Sequence, residues 1–183
     1  MKYPGYTNNS QDFTPVVLSI KKAGADIIAT YMTNSPDVGV FAKQLRQLGV
    51  SAEWLGSASV VTDAAMKLAG PALHGVYGTA DFTPDSSPEA RSYTAKYREC
   101  YKLDPDVYSS WAHDATRLLA LAIANARGAQ PEAIRTAIVG IKGWKGVEGT
   151  CNFDQAGDGL RGYNVVRKDG GRVVFIKHID FKE

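Results

Sequence analysis

The sequence is poor in cysteine and histidine, nearly balanced in charge, and free of long apolar runs. Cys100 and Cys151 are its only cysteines, and neither sits in a CxxC or Cys/His spacing, which argues against the common metal frameworks. One pair fits a single disulfide or two buried thiols, and the habit of cysteine to pack in cores favours buried thiols. His74, His113 and His178 are scattered, none with a second histidine or a cysteine at ligand spacing. A GxSxG elbow is missing and no histidine lies near either cysteine, so no covalent nucleophile, metal or cofactor is expected. Twenty-one Lys plus Arg against 19 Asp plus Glu leave a formal charge of +2, too little for a phosphate-neutralising face. Nucleic acid is therefore not an expected partner. No apolar stretch approaches the roughly 20 residues that a bilayer span needs.

What is present is a globular composition: 44% hydrophobic and 22% charged over 183 residues, enough to bury a core in one or two domains. The start, "MKYPGYTNNSQDF", has one Lys, Gly and Pro breaks and no apolar stretch, so it does not read as a secretory signal. That predicts either a cytoplasmic protein or one whose start has been removed.

Along the chain, "DFTPVVLSIKKAGAD" opens like a helix, with Asp12 or Thr14 as cap, Pro15 at its first turn and Gly24 at its end. "ADIIATYM" is short and continuously apolar, which predicts a strand covered on both faces. In "PDVGVFAKQLRQLG", Val38, Phe41, Leu45 and Leu48 share one helical face and Gly49 closes it. "AEWLGSAS" reads as strand, "VTDAAMKLAG" as a short helix and "HGVYGTAD" as strand. Strand and helix in alternation imply parallel strands with right-handed crossovers, an α/β layer architecture. The text changes after Asp81: "FTPDSSPEA" reads as a linker, followed by helices over about 88–102, 106–127 and 131–140 and strand-like segments near 149–153, 162–168 and 172–179. No repeat of fixed period stands out.

Several motifs have plain readings. "GDGLRG" at 157–162 has the letters of a dinucleotide fingerprint, but it leads into a strand where the fingerprint opens a helix, so it reads as a turn. "DQAGDG" starts like a calcium loop, yet Ala156 stands where an oxygen ligand is wanted and Val165 where the closing Glu belongs. His113 and Asp114 are adjacent on a helix, a spacing at which side chains are expected to diverge. Polar residues at strand ends remain. "TNSPD" with Thr33, Asn34 and Ser35 follows the first strand, and Ser57, Ala58 and Ser59 follow the second, where an α/β sheet presents its ligand crevice. Hydroxyl, amide and helix N-terminal N–H groups suit a carboxylate or another small polar ligand. Equally, these residues can serve only to cap the helices at Pro36 and Thr62.

Five segments, "DFTPVVLSIKKAGADIIA", "FAKQLRQLGVSAEWLGSAS", "LAGPALHGVYGTADFTP", "SWAHDATRLLALAIANARG" and "GVEGTCNFDQAGDGLRGYNVV", together resemble, in order, the branched-chain amino-acid type of solute-binding proteins of ABC transporters, the type I periplasmic binding proteins. The resemblance runs from about Tyr3 to Val174. It implies α/β architecture, a parallel-sheet lobe of a two-lobed protein with part of the other lobe. Residues 1–81 and 165–183 would belong to the second lobe and 82–164 to the first. Chain crossings would fall near Asp81 to Thr83 and Tyr163 to Val166, with Asp81, Phe82, Tyr163 and Val165 as hinge residues. The chain then corresponds to a C-terminal portion of such a protein.

The resemblance also implies function: a periplasmic or extracellular receptor that closes on a small molecule and delivers it to an ABC permease, without bond chemistry. Asn34, Ser35, Ser57, Ala58 and Ser59 would contact the ligand, and Tyr108 would supply an aromatic wall or else pack as core or rim. Family members that bind amino acids hold the ammonium with an aromatic and an acidic residue at the positions matched here by Asn34 and Ala58. Ala58 supplies no countercharge, so among small polar ligands such as an amino acid, a carboxylic acid or an aromatic acid, a carboxylic acid, amide or aromatic acid is expected ahead of an α-amino acid held in the usual way. A ligand-sensing regulatory domain of the same fold is the alternative, and a small α/β enzyme a more remote one.

Overall fold

A computed structural model describes residues 6–159 and 162–180. The first five residues, Leu160 and Arg161 of "GDGLRG", and the last three residues of the tail lie outside the described residues. The chain divides into two compact units, Met1–Ala80 with Val165–Ile176, and Asp81–Asn164 with Lys177–Glu183.

The first unit starts with α1 (Thr14–Ala23), whose first turn carries Pro15 and whose end turns on Gly24 at φ +60°. Phe13, rather than Asp12 or Thr14, occupies the cap position, and the Asp12 carboxylate accepts the Thr14 N–H at 2.8 Å. There follow β1 (Ile27–Ala29), α2 (Ser35–Gln47), β2 (Glu53–Gly56), α3 (Asp63–Ala69) and β3 (Tyr77–Ala80). Short 3₁₀ turns at Ala58–Val61 and Gly70–Leu73, not foreseen in the sequence, flank α3. β1, β2 and β3 are parallel and adjacent, with Ile28 opposite Trp54 and Gly56 opposite Gly78. Strands β6 (Tyr163–Asp169) and β7 (Arg172–Ile179) complete a sheet of order β1-β2-β3-β6-β7. Gly170 and Gly171, at φ +52° and +82°, form the two-residue turn between them, a backbone that L side chains adopt only with strain.

The core of this unit lies on one face of the sheet. Tyr6, Phe13, Phe41 and Trp54 stack edge to face in a chain of rings 5.2 to 5.7 Å apart, and Leu45, Val38 and Val17 are fully buried. The opposite face is bare at its edge. Ile27 is 71% exposed and Leu55 42%, so the expectation of a β1 covered on both faces is wrong. The reason is topological: the order β1-β2-β3 advances without reversal, and right-handed crossovers that advance in one direction deliver their helices to the same face.

The second unit carries α4 (Pro88–Tyr101), α5 (Val107–Ala126) and α6 (Pro131–Val139), then a small antiparallel pair, β4 (Trp144–Lys145) and β5 (Thr150–Cys151). β4 was not expected from the sequence. The three helices were, and their starts are chemically marked. Ser87 accepts the Ala90 N–H at 3.0 Å with Pro88 behind it, and Asp106 and Ser109 cap each other reciprocally at 2.9 Å. Two apolar clusters hold the unit: Phe82, Ala90 and Val147 with Tyr93, and Leu118, Ile141 and Cys151 with Trp144 and Phe153.

Candidate functional site

In the first unit the loops after β1 and β2 emerge at the same end of the sheet, because the two strands are parallel neighbours. Side chains tie them together. The Ser57 hydroxyl donates to the Met32 carbonyl at 2.7 Å, the Met32 N–H donates back to it at 3.2 Å, and the Ser59 hydroxyl donates to the same carbonyl. Ser59 is buried, and its hydroxyl lies 2.9 Å from that of Ser57. The serines therefore hold the loops in register, a role the residue types alone do not reveal. Ala58 lies between them, half-buried, at the start of the 3₁₀ turn.

Asn34 stands at the N-cap position of α2 without a side-chain capping bond, and its amide donates instead to Asn9 Oδ1 at 2.8 Å. Asn9 in turn gives its backbone N–H to the buried Asp37 carboxylate at 2.9 Å. Thr33 is exposed, whereas Ser35 is buried. The plain capping reading holds for Thr62, which accepts the Ala65 N–H at 3.3 Å, but not for the Asn34 side chain. Asn34, Ser57, Ala58 and Ser59 are thus gathered on linked loops, with Ser35 just inside α2.

In the second unit Tyr108 is 48% exposed on the first turn of α5 and meets Trp111 edge to face at 5.4 Å. The Trp111 indole donates to Asp81 Oδ2 at 2.7 Å. Asp81 is buried and its other oxygen has no partner among the described residues. Its backbone carbonyl accepts the Asn164 amide at 3.0 Å, Asn164 Oδ1 meets His178 Nδ1 at 2.8 Å, and His178 Nε2 meets Asp180 at 3.0 Å. This relay joins residues at or next to the three places where the chain changes unit, after Ala80, Asn164 and Ile176. Of the expected hinge residues, Asp81 takes part directly. Phe82 is buried against Tyr93 at 5.7 Å, Tyr163 is 41% exposed, and Val165 is half-buried in β6. Sequence reasoning missed Trp111, Asn164 and His178.

His113 and Asp114 require a correction. Despite adjacency on α5, His113 Nδ1 lies 3.1 Å from Asp114 Oδ1, because side-chain rotation closes a gap that helical geometry alone leaves open. The carboxylate is also the acceptor for the Val147 and Glu148 N–H groups, each at 3.1 Å. Asp114 thereby anchors the loop between β4 and β5. The expectation of two buried thiols is half right: both cysteines are free, Cys151 buried and Cys100 exposed. Among the described residues no group of three or more His, Cys, Asp or Glu side chains is placed to hold a metal, and no helix is long and apolar enough to cross a membrane.

The family described as periplasmic binding protein matches residues 2–172, nearly the whole chain. The chain belongs to that family. The Leu/Ile/Val-binding protein homolog 1 of Brucella suis is 25% identical over 170 residues, covering 92% of this chain and 45% of that protein. The crystal structure of the leucine-binding protein LivK of Thermotoga maritima superimposes with a TM-score of 0.89 at 25% identity, over 96% of this chain and 50% of that one. A solute-binding protein of an R. palustris ABC transporter, solved with benzoate, superimposes at 0.80 with 18% identity, over 94% and 48% of the two chains. This periplasmic binding protein chain therefore spans about half the length of the relatives it matches, and its mixed α/β fold is theirs.

Proposed function

We propose that the full protein is the substrate receptor of an ABC transporter, working in the periplasm or outside the cell and handing a small carboxylate-bearing ligand to a permease. The observation that carries this reading is the double serine tie between the loops after β1 and β2, which gathers Asn34, Ser35, Ser57, Ala58 and Ser59 at one end of a parallel sheet. Asn34 and backbone N–H groups are the proposed polar contacts, Ala58 gives room, and Ser57 and Ser59 set the loop positions. Within the second unit Tyr108 is the proposed aromatic contact, and Asp81, Phe82, Tyr163 and Val165 are the proposed hinge.

Ligand class follows from charge. A buried ammonium needs a countercharge, and Asp37, the acidic side chain in the α2 start, is buried and engaged by Asn9. A carboxylic or aromatic acid is favoured over an α-amino acid held through its ammonium. The protein is proposed to act by binding alone: Asp114, the acidic half of the one His/Asp pair on α5, is spent on backbone N–H groups.

Thermal-shift screening of the full-length protein against amino acids, aromatic acids and short carboxylates tests the reading. A true ligand at 100 times its Kd stabilises by about 2.7 kcal/mol. Asn34→Ala and Ala58→Trp should each weaken binding of the ligand so found. Unaltered affinity in both variants removes the site, and absence of any stabilising small molecule removes the receptor reading.

A further inference from the structure

A second feature of the first unit lies at the other end of its sheet, at the amino end of β3. Lys168 sits in β6 at a position where strand alternation turns it to the same side as Val166, which is fully buried, and Lys168 itself is 2% exposed. Its backbone is fixed in the ladder: its N–H donates to the Val76 carbonyl at 2.8 Å and its carbonyl accepts the Gly75 N–H at 2.9 Å. Among the described residues the ammonium has one hydrogen-bonding neighbour, the Met66 thioether, a weak acceptor. Asp63, at the start of α3, acts on it through charge without a hydrogen bond. Burial pulls its pKa down to about 8, against the pull of Asp63.

Lysine is almost never fully buried without a partner, because desolvation of an unpaired ammonium costs several kcal/mol. Beside Lys168 lies a cavity of about 300 Å³. Met66, Pro71 and Leu73 give it apolar wall, and His74 and the Gly170–Gly171 turn lie at its side. His74 is placed by the Gly170 N–H at 3.4 Å and by Asp169 at 3.6 Å. A short space with an apolar wall and a buried cation lacking an oxygen acceptor has the chemistry of a site for a small organic anion.

We propose that this cavity binds a small monocarboxylate, its oxygens accepting from the Lys168 ammonium in place of the Met66 sulfur and its short carbon chain lying against Pro71 and Leu73. The site is independent of the loops after β1 and β2, and its occupancy adds a second ligand to the first unit. The titratable groups near the ammonium and its cavity are Asp63 from α3 and His74 before β3, with Asp169 beside His74. A carboxylate there stabilises the charged amine directly.

The test uses the full chain labelled with ¹³C at lysine Cε, with the Lys168 resonance identified by its loss in Lys168→Met. Propionate is added near pH 8 and inorganic phosphate in parallel. Expected is a saturable shift of the Lys168 signal toward the protonated form, with a Kd of about 1 mM or tighter, and a titration midpoint raised by about one pH unit, a tenfold coupling. Phosphate should be weaker, since its second charge and larger hydration suit the apolar wall poorly. Saturation-transfer signals from the propionate methyl group should disappear in Lys168→Met and persist in Cys100→Ser, which lies in the other unit. A Lys168 midpoint that propionate does not move overturns the site in the unmutated chain, so the result does not depend on the variant folding. A response to phosphate alone overturns the carboxylate assignment.

Discussion

Asp114 and Lys168 are both buried charged residues, 3% and 2% exposed, yet the protein treats them in opposite ways. Asp114, in the second unit, accepts two backbone N–H groups and meets a histidine. Lys168, in the first, meets a thioether and an open cavity. A buried charge surrounded by donors is a fastening, and its value is structural. A buried charge without them is a cost that folding alone does not recover, which is why the second invites a guest and the first does not.

The contrast breaks most sharply at Asp114. Asp114→Ala leaves the Val147 and Glu148 N–H groups without their acceptor, at roughly 1–3 kcal/mol each, so a total loss of about 3 kcal/mol is expected in urea or thermal unfolding. A loss below about 0.5 kcal/mol would remove the fastening role. Gly146→Ala probes the same contact from the other side. A Cβ there would come within 2.2 Å of Asp114 Oδ2 and 2.4 Å of the Trp144 ring, and overpacking of this kind costs about 2 kcal/mol.

At Lys168 the expected effect has the opposite sign. The unfolded lysine titrates near 10.5 and the folded one near 8. Between those values the unfolded chain holds more protons, so stability rises with pH across that window, and the penalty of burying the cation is present in full below it. Lys168→Met should remove that part of the slope and leave the protein at least as stable at pH 7. Unfolding curves of both proteins from pH 7 to 11 measure the difference directly, and parallel profiles would show that the amine is not desolvated.

The sequence made some of this visible. Helices 88–101, 107–126 and 131–139 were legible because Ser87, Pro88, Asp106 and Pro131 mark their starts with local chemistry. The parallel order of β1, β2 and β3 was legible because short apolar runs alternate with amphipathic ones. The bare face at Ile27 was not, because a three-residue apolar strand reads the same at the edge of a sheet as in its centre, and only strand order decides how many of its faces are covered. The tie from Ser57 and Ser59 to Met32 was half legible. Small polar residues at strand ends pointed to the loops, while the hydrogen bonds between loops about 25 residues apart in sequence needed coordinates. Lys168 gave no signal at all, since "VVRKDG" looks like a strand running out into a solvated turn.

The tryptophans described above also make the two units separately observable. Trp54 is 1% exposed in the first unit, with its indole bonded to Thr30 at 2.8 Å, while Trp111 and Trp144 lie in the second. The chain has no others. Replacing Trp111 and Trp144 by Phe leaves a single tryptophan, so its emission wavelength, excited apart from the tyrosines, becomes a private gauge of whether the first unit is folded. The complementary Trp54→Phe, Trp144→Phe protein would emit only from Trp111, whose indole touches Asp81 next to the first change of unit, and would turn events at that peptide into an optical signal.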